Sequence, residues 1–178
     1  RYLFLPTVSG IQISALQNDP LPRFLVVPKY RVLADRDEIL RTLSAADFDF
    51  RREVILEHAP GFSSPAAAGE PVFSVKVLSA SASRWTVEVT TSAPGILLMT
   101  DSYAKGWRAT ALAGGAQSAY ELQPADWAVR GIPLTVAGRH ILEIKYTSPG
   151  FAVGLGVTLS TLVALMVFAA RSVRRSRA

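Results

Sequence analysis

Val72-Phe73-Ser74-Val75-Lys76-Val77 and, after a short turn, Trp85-Thr86-Val87-Glu88-Val89 decide the fold. Successive side chains of a strand point to opposite faces. Phe73, Val75 and Val77 therefore share one face, and Val72, Ser74 and Lys76 the other. In the second run Trp85, Val87 and Val89 lie together, with Thr86 and Glu88 opposite. Ala80-Ser81-Ala82-Ser83 supplies the turn between them. Two half-apolar strands in succession predict an antiparallel sheet with one face buried and one in water.

Toward the C-terminus the same grammar repeats. Short β-rich runs are expected at 95–100, 107–112, 119–122, 128–132 and 140–147, with Gly114-Gly115 and Ala137-Gly138 as tight turns. Several short strands at this spacing predict a mainly β fold, an antiparallel β-sandwich over 72–148.

Toward the N-terminus, 61–71 reads as a linker rich in Gly, Pro, Ser and Ala. Residues 1–60 read as a lead-in, with a strand around Ile11-Gln12-Ile13, followed by a small strand-helix-strand unit. Arg23-Phe24-Leu25-Val26-Val27 is a strand between Pro22 and Pro28, and a second run covers 30–33. Asp35 with Glu38 three residues later forms a capping-box start. Ile39, Leu40 and Leu43 give the helix one apolar face, and it should end near Ala45 or Ala46. A strand returns at 52–57.

Residues 151–170 contain no charge, and Arg171, Arg174, Arg175 and Arg177 follow at once. Twenty residues in a helix span roughly 30 Å, the thickness of a bilayer hydrocarbon core. Arg clusters beside a span are retained on the cytoplasmic side. A transmembrane helix at 151–170, a cytoplasmic tail at 171–178 and an extracytoplasmic location for 1–150 at the cell (inner) membrane are therefore expected. Such a domain needs a cleaved signal or an upstream span to be exported, and the favoured expectation is a C-terminal piece of a longer polytopic protein. Ala152, Gly156, Ser160 and Ala164 recur every four residues, a small-residue stripe suited to packing against upstream transmembrane helices.

Charge and composition narrow the function. Four of the net +5 charges lie in the tail, which leaves +1 for residues 1–150 and no basic face for nucleic acid. The absence of cysteine excludes disulfides and thiolate metal sites. His58 and His140 have no partner at ligand spacing, so no metal or cofactor is expected. Neither a nucleophile elbow nor a phosphate-binding loop is present. Asp47, Asp49 and Glu53, flanked by Arg51 and Arg52, read as a mutually paired turn.

Asp101-Ser102-Tyr103-Ala104-Lys105-Gly106-Trp107 is the densest cluster of functional groups. One reading stacks a sugar on Trp107 or Tyr103, with Asp101 accepting hydrogen bonds from its hydroxyls. The other buries Trp107 in the sandwich core and uses Asp101 to cap the loop. Sequence alone leaves both open.

The order of these pieces resembles the C-terminal end of bacterial YfhO-like membrane proteins, grouped with the GT-C-type glycosyltransferases that use polyprenyl-phosphate sugars. The resemblance runs through 21–27, 47–57, Pro94-Gly95-Ile96-Leu97-Leu98-Met99-Thr100-Asp101-Ser102-Tyr103, Gly106-Trp107-Arg108, 137–140, Tyr146, Pro149 and the final span. Ala104-Lys105 departs from the family's aromatic and proline before the Gly-Trp. Trp127-Ala128-Val129-Arg130 matches in part its basic residue with aromatics, and adds Trp127 to the candidate ligand contacts. The resemblance implies a non-catalytic module beside a membrane-embedded transferase. Its candidate partners are the membrane, upstream spans and a glycan or lipid-linked sugar. The family's catalytic acids belong to loops near its N-terminal spans, so no catalytic residue is implied here. A membrane-anchored carbohydrate- or protein-binding domain without enzymatic activity is the alternative.

Overall fold

A computed structural model describes residues 2–8, 10–15, 20–63 and 71–175 of the chain. The strands are β1 (Tyr2–Thr7), β2 (Gly10–Ala15), β3 (Phe24–Val27), β4 (Lys29–Val32), β5 (Glu53–Leu56), β6 (Phe73–Ala80), β7 (Arg84–Thr91), β8 (Gly95–Met99), β9 (Trp107–Ala111), β10 (Gln123–Ala125), β11 (Val129–Leu134) and β12 (Gly138–Tyr146). Helix α1 covers Arg36–Leu43 and helix α2 covers Phe151–Arg175. The fold is mainly β, a sandwich followed by one apolar C-terminal helix.

One sheet has four strands in the order β6-β7-β12-β9, and the other has six in the order β3-β8-β11-β10-β5-β4. Their facing sides share a core of Phe24 and Val26 from β3, Val87 and Val89 from β7, Leu97 and Met99 from β8, Ile132 and Leu134 from β11, and Leu142 and Ile144 from β12. The alternation read in β7 holds: Val87 and Val89 are fully buried, and Trp85 packs against them. Strand β8 is buried along its whole length because the six-stranded sheet is apolar on both sides. Its second face joins Ile96 and Leu98 to Val27, Val54, Leu56 and Ala125. That explains the unbroken apolar run Gly95–Met99, which cannot alternate if both faces are covered.

The linker at 61–71 divides the sequence but not the sheet; residues 64–70 lie outside those described. Strands β3, β4 and β5, read as belonging to a unit ahead of the sandwich, are built into it. β3 pairs with β8 (Phe24↔Met99), and β5 pairs with β10 (Leu56↔Ala125). β4 and β5 are parallel neighbours joined through α1. Asp35 caps α1 as the sequence indicates, accepting a hydrogen bond from the Glu38 N–H at 2.9 Å.

One local expectation is met and extended, since the strand at 11–13 is β2, and another changes. The lead-in is a hairpin, β1 with β2, in a sheet of its own, with Pro6 paired to Ile11. Residues 119–122 are not a strand. Tyr120 turns inward there, and its hydroxyl bonds His140 Nδ1 at 2.9 Å. The Gln117 side chain accepts from Thr135 N–H at 2.9 Å and donates to Pro133 O at 3.2 Å, taking the place of a backbone ladder beside β11. His140 is fully buried and its Nε2 faces Val136 O at 3.0 Å. That carbonyl can only accept, so Nε2 carries the proton and Nδ1 accepts from Tyr120. Burial pushes the His140 pKa down and that of Tyr120 up to about 12.

Candidate functional site

Strand register gathers the candidate residues at one end of the sandwich. Phe24 and Arg130 both pair with Met99, Trp107 pairs with Tyr146, and Ala125 pairs with both Val129 and Leu56. The start of β3, the end of β8, the start of β9, the β10–β11 connection and the end of β12 therefore lie together. The chain leaves this end for α2 through 147–150.

The β8–β9 connection is pinned on all sides. Thr100 N–H donates to Arg23 O at 3.0 Å, Tyr103 N–H to Ala128 O at 2.7 Å, and Thr147 N–H to Gly106 O at 2.9 Å. Arg130 Nε donates to Ser102 O at 3.0 Å. Gly106 is required by close approach, since a Cβ there would lie 2.5 Å from Thr147 O and 2.5 Å from the Tyr146 ring. These bonds tie the loop to β3, the β10–β11 connection and the segment after β12, and so fix its place on the sandwich end.

The four candidate ligand residues meet different fates there. Asp101 is held bidentately by Arg23, at 2.8 and 2.9 Å. Tyr103 is half-buried beside the β10–β11 connection. Trp107 is 9% exposed. The Arg130 guanidinium lies 3.7 Å from its ring centroid, and the Tyr146 ring packs beside it at 5.3 Å. Trp107 thus takes the core position, with no free ring face for a sugar. Trp127 is the opposite case, 42% exposed at the tip of the hairpin, with Arg36 of α1 5.2 Å from its ring.

Three further residues here, Arg130, Arg23 and Asp126, are given no site role by the sequence. Arg130 is a buried cation whose pKa is lowered chiefly by burial, against the opposing pull of Asp101 and with a smaller push from nearby Arg23. Its planar charge lies over Trp107, the favourable geometry of a cation over an indole. Arg23 repeats the arrangement over Trp85 at 4.1 Å. An Arg inside the apolar run Val129-Arg130-Gly131-Ile132 was the available signal.

Asp126 is the third. It and Trp127 adopt left-handed φ values of 45° and 65°. Such angles are uncommon for Asp and an outlier for a bulky indole, and cost on the order of 1–3 kcal/mol each. Asp126 is locked by Ile55: its N–H donates to Ile55 O at 2.8 Å, and its Oδ1 accepts from Ile55 N–H at 2.8 Å. Burial, helped by the negative charge of Glu53 and opposed by the Ile55 bond, pushes its pKa up to about 6. A raised carboxyl pKa favours folding at low pH, and the advantage fades as pH rises from the ordinary carboxylate range through 6. Asp126→Asn keeps an acceptor for Ile55 and removes the buried charge. It is expected to raise stability at pH 7 by on the order of 1–3 kcal/mol and to change it little at pH 4. Denaturant melts at the two pH values measure this, and an equal change at both would refute the buried charge.

The stripe Ala152, Gly156, Ser160 and Ala164 lies on exposed helix surface, and a Cβ on Gly156 would meet nothing within 4 Å. Ser160 Oγ donates to Gly156 O at 2.8 Å, so its hydroxyl is satisfied within its own helix. Thr158 and Thr161 do the same with Gly154 and Val157. Side chains beyond 168, including the Arg tail, lie outside those described. Among the described residues no group of His, Asp or Glu is placed to hold a metal. No protein-family model, curated protein or solved structure matches this chain.

Proposed function

We propose that this chain is the extracytoplasmic, non-catalytic module and last membrane span of a polytopic envelope protein of the lipid-linked-sugar-dependent glycosyltransferase type. The glycosyltransferase type rests on the sequence resemblance, and the observation that supports the membrane part of the reading is α2. Phe151–Phe168 is long and apolar enough to cross a membrane and is wholly uncovered by the rest of the chain. Its hydroxyls are bonded within the helix, as lipid requires. The sandwich would stand at the outer surface, with its pinned loops turned toward the acceptor side of a membrane-embedded site. A second reading, a membrane-anchored glycan- or protein-binding domain, draws support from the exposed Trp127 with Tyr103 and Arg36 nearby. An exposed indole offers a large apolar surface with a polar handle, the combination favoured at binding interfaces.

These 178 residues hold no cysteine, so an introduced thiol is the one to be labelled within them. In intact cells, Ser118→Cys on an exposed sandwich loop should react with a membrane-impermeant maleimide. Ser176→Cys should react only after permeabilisation. The opposite pattern would overturn the orientation and, with it, the extracytoplasmic assignment.

A further inference from the structure

The outer face of the four-stranded sheet carries an unbalanced row of positive charge. Lys145 of β12 pairs directly with Arg84 of β7 on one side and with Arg108 of β9 on the other. Their strand neighbours Trp85, Ile144 and Trp107 turn into the core, so the three basic side chains project outward, and all three are exposed. Like charges directly opposite each other weaken a sheet, and such a row needs another reason to exist.

Elsewhere on this face the charges are matched. Lys76 sits opposite Glu88, and Glu88 also pairs with Arg139. At the row itself only Glu143 approaches, 3.5 Å from Arg84. Among the described residues, no carboxylate lies within ion-pair distance of Lys145 or Arg108. Arg108 is nevertheless held in place, one terminal nitrogen donating to Lys105 O at 2.7 Å and Trp107 O at 2.9 Å. Lys105, exposed in the adjoining loop, adds a fourth cation.

The row is the last one on the outer face before the chain leaves for α2. Five residues separate Lys145 from Phe151, a link of at most about 20 Å even if fully extended. If α2 crosses the bilayer, the row is confined near its surface, where basic side chains are attracted to anionic lipid over roughly a Debye length of 8–10 Å.

We infer that Arg84, Lys145 and Arg108 bind anionic phospholipid headgroups of the leaflet that α2 enters, and so seat the sandwich on the membrane. Charge complementarity and the short tether choose this occupant. The inference rests on α2 spanning a membrane and not on glycosyl transfer. A wrong topology would appear in the cysteine labelling, independently of the measurement that follows.

The full chain carrying Ser83→Cys, an exposed turn residue beside the row, is labelled with a donor fluorophore and placed in nanodiscs containing acceptor-labelled lipid. Energy transfer reports the distance from the sandwich to the bilayer. Adding phosphatidylglycerol to phosphatidylcholine nanodiscs should increase transfer. Lys145→Gln with Arg108→Gln should abolish the increment and, with free short-chain phosphatidylglycerol, weaken binding by about tenfold or more, since each basic residue at an anionic surface is worth about fivefold. Arg84→Gln with Lys145→Gln serves as a second pair should the first lose its fold. Lys76→Gln, on the same face but away from the row, should keep the increment. Equal transfer in both lipids, or an undiminished increment in both row variants, would overturn the inference. Loss of the increment on adding inorganic phosphate at constant ionic strength would also overturn it, in favour of a soluble phosphate ligand.

Discussion

Trp107→Ala is expected to lower the stability of the sandwich by about 3–5 kcal/mol, the usual cost of emptying a large aromatic site. Trp107 fills the end of the shared core with only 9% of its surface exposed. The loss is compounded by its neighbours. Arg130, already short of water, loses the ring that lies 3.7 Å beneath its charge, and Tyr146 loses its packing partner. A desolvated cation over an indole contributes about 2 kcal/mol in such settings. Trp107→Phe should recover part of the loss, because a smaller ring still separates Arg130 from the core. Urea melts followed by far-ultraviolet dichroism measure both variants. A sugar platform predicts the reverse: unchanged melting and lost ligand binding. A melt of Trp107→Ala close to wild type would sink the core assignment.

The parts of this architecture that could be read from sequence are those set by local periodicity. Trp85, Val87 and Val89 were legible as one face because β7 has one side in the core and one in water. Asp35 and Glu38 were legible because a cap acts over three residues. The α2 segment was legible by length and the absence of charge. Strand partnership was not, since β3 meets β8 and β5 meets β10 across long stretches of chain, and nothing local encodes which edge a strand joins. The candidate site shows the same divide. Asp101, Tyr103 and Trp107 stood out as a dense cluster. Arg23, which occupies Asp101, and Arg130, which covers Trp107, reach them only through the sheet. The Asp126-Trp127 turn escaped notice because left-handed pairs usually announce themselves as Asn-Gly or Asp-Gly. Here the conformation is imposed by the two bonds to Ile55, a residue contributed by a distant strand.

The shared sheet makes its own large prediction. A fragment of residues 72–148 is expected not to fold, whereas 20–148 should give a cooperative melt. Cutting at the linker strips β3 from one side of β8 and β5 with β4 from one side of β10. It removes Phe24 and Val26 from the inner core and Val27, Val54 and Leu56 from the second face. Each such apolar side chain contributes about 1.5–3 kcal/mol on burial. Five of them together approach the whole net stability of a domain, about 5–15 kcal/mol. Asp126 would lose Ile55, its partner for both the N–H and the carboxylate, and the strained turn would have nothing to hold it. Two bare sheet edges would remain, and open edges pair with other chains. The short fragment should therefore aggregate on gel filtration and lack near-ultraviolet dichroism. Co-expression with 20–60 should restore a soluble complex, because the missing strands need only dock and need not be covalently joined. A cooperative melt of 72–148 alone, at the temperature of 20–148, would show that the first three sheet strands decorate the sandwich and do not build it.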